Sequence, residues 1–192
     1  MIDPTIARRI ALVAFDVDGT LTDNGVYIGD STDLTRPEER IELKRFDIQD
    51  GLGIVMLRRA GIGVAFISAR HSPATTLRAK ELGVTQVHQG KGLRKVPTLR
   101  AISQGLGIPF DCIAFMGDDL ADIAVMSQVA LAVAPQNAVA EVKGIAHVQL
   151  TRPGGRGAVR EFVEALLHAR GEWDGLVATY VADSAREPAA QT

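Results

Sequence analysis

The stretch "IALVAFDVDGT", residues 10–20, runs six apolar residues directly into two closely spaced aspartates. An unbroken apolar run of this length indicates a strand of a parallel sheet, because both faces of such a sheet are covered. Asp16 and Asp18 point the same way if the period of two continues past the strand. Neighbouring carboxylates repel each other and raise each other's pKa. A divalent cation, which prefers oxygen ligands, would offset that repulsion.

Short apolar runs alternate with helical patterns along the rest of the chain. Together with residues 10–15, the predicted strands are 63–68, 84–89, 112–117, 129–134 and 147–150. The predicted helices are about 50–60, 73–82, 94–105, 119–127, 137–143 and 155–170. This alternation predicts an α/β fold, a doubly wound (Rossmann-like) parallel sheet with helices on both faces.

One segment breaks the alternation. Residues 22–46 have two apolar arms around a turn-rich tip, which predicts a β-hairpin flap. The hairpin leaves the end of the first strand, so we expect it to stand over whatever that strand carries. The predicted single domain spans residues 1–171, and residues 172–192 form a C-terminal extension that we expect to be partly disordered from 182 onward.

The composition excludes several classes of protein. The chain has 192 residues, is 46% hydrophobic and carries a net charge of −2, so it has no electrostatic footprint for nucleic acid or an anionic membrane. Cys112 is the single cysteine, so an intrachain disulfide is impossible. The sequence has neither a signal-peptide pattern nor an apolar run of about 20 residues. We therefore expect a cytoplasmic protein without nucleic-acid or membrane partners.

Reactive residues follow four of the predicted strands. In an open α/β sheet, ligands bind beyond the carboxyl ends of the strands. The residues found there are Asp16 and Asp18 after the first strand, Ser68 and Arg70 after the second, Lys95 after the third, and Asp118, Asp119 and Asp122 of "GDDLAD" after the fourth. We expect them to meet in one crevice that carries carboxylates, a hydroxyl and an ammonium group.

In order and strand context, "DVDGTLTD", Ser68, Lys95 and "GDDLAD" resemble the four motifs of haloacid-dehalogenase-like phosphohydrolases. The resemblance implies that Asp16 is the nucleophile and forms an aspartyl-phosphate. Asp18 would protonate the leaving alcohol and then activate water. Many members of this family carry a large cap domain, whereas this chain has room only for the hairpin and resembles a capless member.

The resemblance also implies a cofactor and the contacts of the phosphoryl group. Mg²⁺ would be held by the Asp16 carboxylate, the backbone carbonyl of Asp18 and Asp118. Ser68 would donate a hydrogen bond to the phosphoryl oxygens, and Lys95 would place a positive charge beside them. Gly19 would let the backbone pass close to the phosphate, with its N–H in the cradle.

Several assignments stay open at the level of sequence. Asp119 is either part of the site or only the N-cap of the following helix. Asp122, one turn further, is expected behind the residues that touch the ligand. Lys91 competes with Lys95 as the active-site lysine, but Lys95 is preferred because it opens a helix and its spacing before "GDD" is similar to the family's.

Two further stretches resemble the 3-deoxy-D-manno-octulosonate 8-phosphate (KDO 8-phosphate) phosphatase family, namely "RFDIQDGLGI" at 45–54 and "RPGGRGAVREFVEALL" at 152–167. The resemblance implies a phosphorylated sugar-acid substrate and a homotetramer in which a neighbouring subunit covers each site. It assigns substrate contacts to Asp47, Gln49, Asp50, Gly51, Arg70 and Arg78. The Gly-rich turn of the second stretch is either an anion site at a helix N-terminus or only a permissive loop.

Both the exact substrate and the class of protein have alternatives. The long hairpin tip, Val55 and the C-terminal extension depart from the family pattern, so a nine-carbon sialic-acid-type 9-phosphate or a broad range of small phosphomonoesters remains open. A response-regulator receiver domain also combines an aspartate, Mg²⁺ and a lysine, but it does not need Asp18 or "GDDLAD". A non-catalytic relative would be expected to have lost Asp16 or Asp18.

Overall fold

The computed structural model describes residues 1–30 and 40–185. Its centre is a six-stranded sheet in the order β5-β4-β1-β6-β7-β8, with every neighbouring pair parallel. The strands of this sheet are β1 Leu12–Phe15, β4 Gly63–Ser68, β5 Gln86–Gln89, β6 Ile113–Met116, β7 Leu131–Ala134 and β8 Val148–Gln149, and β2 Tyr27–Asp30 and β3 Arg40–Leu43 form a separate hairpin. The predicted α/β class is confirmed.

Helices cover both faces of the sheet. They are α1 Pro4–Arg9, α2 Ile48–Arg59, α3 Pro73–Glu81, α4 Lys95–Leu106, α5 Leu120–Met126, α6 Ala140–Ile145, α7 Ala158–Arg170 and α8 Trp173–Ser184. Residues of β1 alternate between the two hydrophobic cores, with Val13 and Phe15 in one and Leu12 and Ala14 in the other. This alternation follows from the period of two in a strand, and it explains why the run is apolar throughout.

The sheet order places the end of β1 between two other strand ends. β1 pairs with β4 on one side and with β6 on the other. The backbone N–H of Asp16 still donates to the carbonyl of Met116, so the ladder continues one residue past the strand. The crevice for a ligand forms at such a switch in strand order.

The hairpin is antiparallel and lies between β1 and α2, as predicted. Tyr27 is opposite Leu43, and an isolated bridge between Thr22 and Phe46 closes the base. Of the predicted turn-rich tip, residues 29–39, Gly29 and Asp30 belong to β2, and 31–39 lie outside the described residues. Across the part of the chain that the structure describes, no larger domain is inserted, because the stretch from Ser68 to Lys95 holds only α3 and β5.

Two helices were not predicted, α1 and α8. In α8, the ring centroid of Tyr180 lies 5.0 Å from Cζ of Arg59 in α2. The ring centroid of Trp173 lies 5.0 Å from Cζ of Arg160 in α7. The first three residues of the tail that was expected to be disordered from 182 belong to α8, and 186–192 lie outside the described residues. Among the described helices, none is both long and apolar enough to cross a membrane. The cytoplasmic location stays a prediction.

Candidate active site

Lys95 connects two carboxylates beneath the end of β1. Its ammonium group hydrogen bonds to Asp16 Oδ1 and lies 2.5 Å from Asp122 Oδ1. Burial opposes the charge on Lys95, yet the facing carboxylates of Asp16 and Asp122 hold its pKa above the usual value. Lys95 is the first residue of α4, whereas Lys91 is exposed in the preceding loop. The structure therefore brings Lys95, and not Lys91, to the aspartate after the first strand.

Asp118 completes a buried acidic cluster. Carboxylate oxygens of Asp16, Asp118 and Asp122 lie within 4.8 Å of one another. Burial, followed by repulsion from Asp122, raises the pKa of Asp16 and raises the pKa of Asp118 to about 7. Carboxylates in this state are strongly biased toward binding either protons or a cation.

The cluster fits a divalent cation. Both oxygens of Asp122 are already engaged, because Oδ1 contacts Lys95 while Oδ2 accepts the backbone N–H groups of Asp118 and Asp119. Asp16 and Asp118 are therefore the carboxylates with capacity left for a metal. When all three carboxylates are ionised, the one ammonium group of Lys95 leaves two negative charges uncompensated. A hard cation of charge +2 with oxygen ligands matches that set.

The turn after β1 holds the carboxylate of Asp118 in place. Gly19 has φ +89°, and a Cβ there would lie 2.0 Å from Asp118 Oδ2, so the position requires glycine. The hydroxyl of Thr20, which the sequence reasoning did not single out, donates to Asp118 Oδ1 at 3.3 Å. The N–H of Gly19 donates to Thr22 Oγ1 at 3.3 Å, and its role in a phosphate cradle stays a prediction.

Asp18 faces a lysine that the sequence reasoning missed. Lys44, one residue past β3, lies with its Nζ 2.5 Å from Asp18 Oδ1, and Arg70 lies at 3.9 Å from the same oxygen. The available signal was the period of the hairpin arm, which puts Glu42 and Lys44 on one face and Ile41 and Leu43 on the other. The polar face is turned toward Asp18, in the turn after β1.

A single cavity of about 240 Å³ joins the four motifs. Ser68, at the end of β4, is buried, and its Oγ accepts the backbone N–H of Arg70 at 3.1 Å. Asp119 lines the cavity and also caps α5 together with Asp122, so the two alternatives weighed for Asp119 both apply. The cavity is lined by Asp16, Asp18, Asn24, Ser68, Ala69, Arg70, Lys95, Asp118, Asp119, Ala121 and Asp122.

The other predicted substrate contacts lie elsewhere in the chain. Arg78 donates to the backbone carbonyl of Asp47 and to Glu81, and it lies over Gly51, where a Cβ would be 2.1 Å from Arg78 Nη2. The side chain of Asp47 caps α2 by accepting the N–H of Gln49, which is itself exposed. These residues are not among those that line the cavity. Arg78 instead joins α3 to the start of α2 through the carbonyl of Asp47. The structure of a single chain therefore does not support substrate contacts by Asp47, Gln49, Gly51 or Arg78.

Asp50 also has a different position from the one predicted. Its buried carboxylate accepts the N–H of Gly157 at 3.2 Å and the N–H of Arg160 at 2.8 Å. It therefore occupies the N-terminus of α7, where the Gly-rich turn had been weighed as an anion site. Burial raises the pKa of Asp50 although both N–H groups favour its charged form. The anion at this helix end is a side chain of the protein.

The Gly-rich turn packs against the turn after β1. A Cβ at Gly155 would lie 2.4 Å from the backbone nitrogen of Asp23. Asn137, another residue missed from the sequence, donates to the carbonyl of Gly19 at 2.9 Å and accepts the N–H of Gly154 at 2.6 Å. Residues 152–157 thus support the turn that carries the catalytic candidates from behind.

Comparison with known proteins agrees with this geometry. Residues 86–160 match the family model described as haloacid dehalogenase-like hydrolase. The fold and the site define a phosphatase of this class. The 3-deoxy-D-manno-octulosonate 8-phosphate phosphatase of Yersinia pestis is 36% identical over 169 residues, which cover 88% of this chain and 86% of that protein. The chain belongs to the KDO 8-phosphate phosphatase family of haloacid-dehalogenase-like hydrolases.

Solved structures show the same relationship. The Moraxella catarrhalis KDO 8-phosphate phosphatase, in complex with magnesium, phosphate and KDO, superposes with a TM-score of 0.84 at 34% identity, over 92% of this chain and 97% of that one. The cobalt-bound Haemophilus influenzae enzyme superposes with a TM-score of 0.77 at 32% identity, over 86% of this chain and 92% of that one. The predicted family, fold and phosphatase class are confirmed.

Proposed function

We propose that this protein hydrolyses KDO 8-phosphate to KDO and inorganic phosphate through an aspartyl-phosphate on Asp16. The observation that carries the proposal is the convergence of Asp16, Asp18, Lys95 and Asp118 on one cavity. The choice of substrate rests on the Yersinia pestis and Moraxella catarrhalis relatives, which are KDO 8-phosphate phosphatases.

In the first step, the Asp16 carboxylate attacks phosphorus. A bond forms between Asp16 and phosphorus while the bond from phosphorus to the ester oxygen breaks. Asp18, on the same cavity wall, gives its proton to that oxygen, so that KDO leaves as a neutral alcohol at this position. Protonation matters here because an alkoxide is a poor leaving group.

In the second step, water attacks phosphorus of the aspartyl-phosphate. Asp18 takes a proton from this water, the bond between Asp16 and phosphorus breaks, and inorganic phosphate is released. Asp16 regains its carboxylate and Asp18 its proton, so both residues are ready for another turnover.

We assign Mg²⁺ to the site formed by Asp16, Asp118 and the backbone carbonyl of Asp18. When bound, the cation neutralises the repulsion between the nucleophile and the phosphate dianion and stabilises the charge in transfer. Lys95 holds the carboxylate of Asp16 through a hydrogen bond to Oδ1. Asp122 fixes Lys95 and the backbone of the 118–119 turn.

Within one chain, the phosphoryl and sugar-acid contacts are assigned to Ser68 and Arg70. Both line the cavity, and the side chain of Arg70 is 44% exposed at its mouth. A guanidinium group in that position suits the carboxylate of a sugar acid, which it can bind through two parallel hydrogen bonds.

We also propose a homotetramer assembled through the hairpins. Tyr27, Ile41 and Leu43 expose more than half of their surface on one face of the hairpin. A contiguous apolar face of this kind is unusual on a monomer. It supports an assembly in which a neighbour covers the site, as the resemblance to the family implies.

The test is phosphate release from a panel of phosphomonoesters, with and without Mg²⁺. The panel contains KDO 8-phosphate, nine-carbon sialic-acid-type 9-phosphates and simple sugar phosphates, and kcat/KM ranks them. KDO 8-phosphate is expected to rank first, with turnover abolished in Asp16→Asn. If a nine-carbon substrate ranks first, it replaces KDO 8-phosphate as the proposed substrate. If Asp16→Asn is active, Asp16 is not the nucleophile.

A further inference from the structure

The hairpin brings a buried cation to the catalytic acid. Lys44 lies one residue past β3, and its side chain has no exposed surface. Its ammonium group is 2.5 Å from Asp18 Oδ1, although the two residues are 26 positions apart in sequence. The connection between them is the whole hairpin, so this contact forms only when the hairpin is seated over the end of β1.

We propose that Lys44 is a positioning residue for Asp18, so that a correctly seated hairpin is required for proton transfer to the leaving group. This inference rests on the proposed function. The inference goes beyond the proposed function because it gives the hairpin a role in catalysis within its own subunit, in addition to any contact between subunits.

The hydrogen-bond pattern at Asp18 supports the proposal. Lys44 occupies Oδ1, and among the described residues no hydrogen bond engages Oδ2. A carboxyl group held through one oxygen presents the other to the cavity that Asp18 lines. A displacement of about 1 Å at a reacting group costs on the order of 100-fold in rate. The hydrogen bond that Lys44 donates to Oδ1 fixes the carboxyl group and leaves Oδ2 to carry the proton for the leaving group.

The neighbouring charges favour Lys44 over Arg70 in this role. Arg70 is 3.9 Å from Asp18 Oδ1 and makes its closer contact, 2.9 Å, with Glu42 Oε2. Glu42 Oε1 is buried, has no hydrogen-bond partner among the described residues, and lies 3.7 Å from Lys44 Nζ. Glu42 thus balances the charge of Lys44 and holds Nη2 of Arg70, which leaves Lys44 as the close partner of Asp18.

The test compares two leaving groups in Lys44→Met, which keeps an unbranched side chain, one atom shorter, and removes its charge. Single-turnover cleavage of KDO 8-phosphate needs a protonated leaving oxygen, whereas 4-nitrophenolate leaves without one. We expect the first rate to fall about 10- to 100-fold and the burst of 4-nitrophenolate from 4-nitrophenyl phosphate to stay within about threefold. Lys44→Arg, which keeps the charge, is expected to recover part of the first rate.

The matched control is Lys91→Met, which removes an exposed lysine outside the cavity and is expected to leave both rates unchanged. Thermal unfolding of each variant checks that the fold is intact. Equal losses for both substrates, or no loss for either, would overturn the role of Lys44 while leaving the proposed function in place. If the native protein cleaves neither substrate, the proposed function fails and this inference fails with it.

Discussion

Gly154 lies directly on the backbone of Gly19, so that a Cβ at position 154 would be 1.9 Å from the Gly19 carbonyl oxygen. Real atoms cannot approach so closely, so any side chain at 154 must push the two loops apart. At Gly19 itself, a Cβ would lie 2.0 Å from Asp118 Oδ2, so no side chain fits there either. The turn after β1 is thus fixed from both sides, by Asp118 in front and by the Gly-rich turn behind.

Gly154→Ala is predicted to displace the turn after β1. We expect a loss of about 1–3 kcal/mol in the free energy of unfolding, as for other overpacked sites. A displacement of the nucleophile is expected to lower kcat about 10- to 100-fold. Both are measured by chemical denaturation and steady-state phosphate release.

The matched control for that variant is Gly144→Ala. A Cβ at Gly144 has nothing within 4 Å, and the residue lies inside α6. The control is expected to keep full activity and to gain up to about 1 kcal/mol in stability. Equal behaviour of the two alanine variants would show that the contact between Gly154 and Gly19 does not hold the turn.

Metal-free protein is predicted to lose stability as the pH rises. Because the pKa values of Asp16 and Asp118 are raised in the folded state, the native protein binds more protons than the unfolded chain. This contribution is complete below the unfolded pKa of about 4, and it is lost as the pH rises toward the folded values, with about 7 for Asp118. The slope reaches about 1.4 kcal/mol per pH unit for each group.

The measurement is thermal unfolding in EDTA between pH 5 and 8, repeated with Mg²⁺. We expect Tm to fall with pH in EDTA, and the stabilisation by Mg²⁺ to grow with pH because protons compete with the cation. Asp118→Asn removes one titrating group and should flatten the EDTA profile. A metal-free Tm that rises over this range would contradict the assigned electrostatics.

Asp50→Asn is predicted to destabilise the protein through α7. An amide offers a single oxygen for the two N–H groups of Gly157 and Arg160, and its own N–H₂ group would face one of them. We expect a loss of about 1–3 kcal/mol, the cost of a buried unsatisfied donor.

The control for that variant is Asp47→Asn, since asparagine caps a helix about as well as aspartate does and the loss should be a few tenths of a kcal/mol. Chemical denaturation measures both variants. If Asp50→Asn instead keeps its stability and raises KM for the substrate, Asp50 contacts substrate as the sequence first suggested.

Leu43→Asp is predicted to dissociate the proposed homotetramer. Leu43 is 62% exposed on the apolar face of the hairpin, and a carboxylate there cannot be buried cheaply between subunits. Light scattering is expected to give the mass of a tetramer for the native protein and a smaller mass for the variant. Val181→Asp, at a residue 60% exposed on α8, is the matched control and should leave the mass unchanged. A native monomer would refute the assembly.

The sequence by itself determined the sheet and the chemistry of its edge. The strands were readable because an apolar run that is buried on both faces has a distinctive pattern. The carboxyl ends of parallel strands meet at one edge of the sheet. The sequence pointed to that edge because a polar residue lies at or just after the end of each such run, namely Asp16, Asp18, Ser68 and Asp118. Helices α1 and α8 were missed because each is short or lies outside the repeating strand and helix pattern.

Only the tertiary structure decided which polar residues face the cavity and which hold the protein together. Asp47, Asp50 and Arg78 match family positions, yet in this chain they cap and clamp helices. The period of the hairpin arm shows which face Lys44 shares with Glu42, but not its partner, which is 26 residues away. Asn137 carries no local signal, because its partner is 118 residues away. Sequence pattern reports burial and local geometry, whereas the partner of a long polar side chain depends on how distant segments pack.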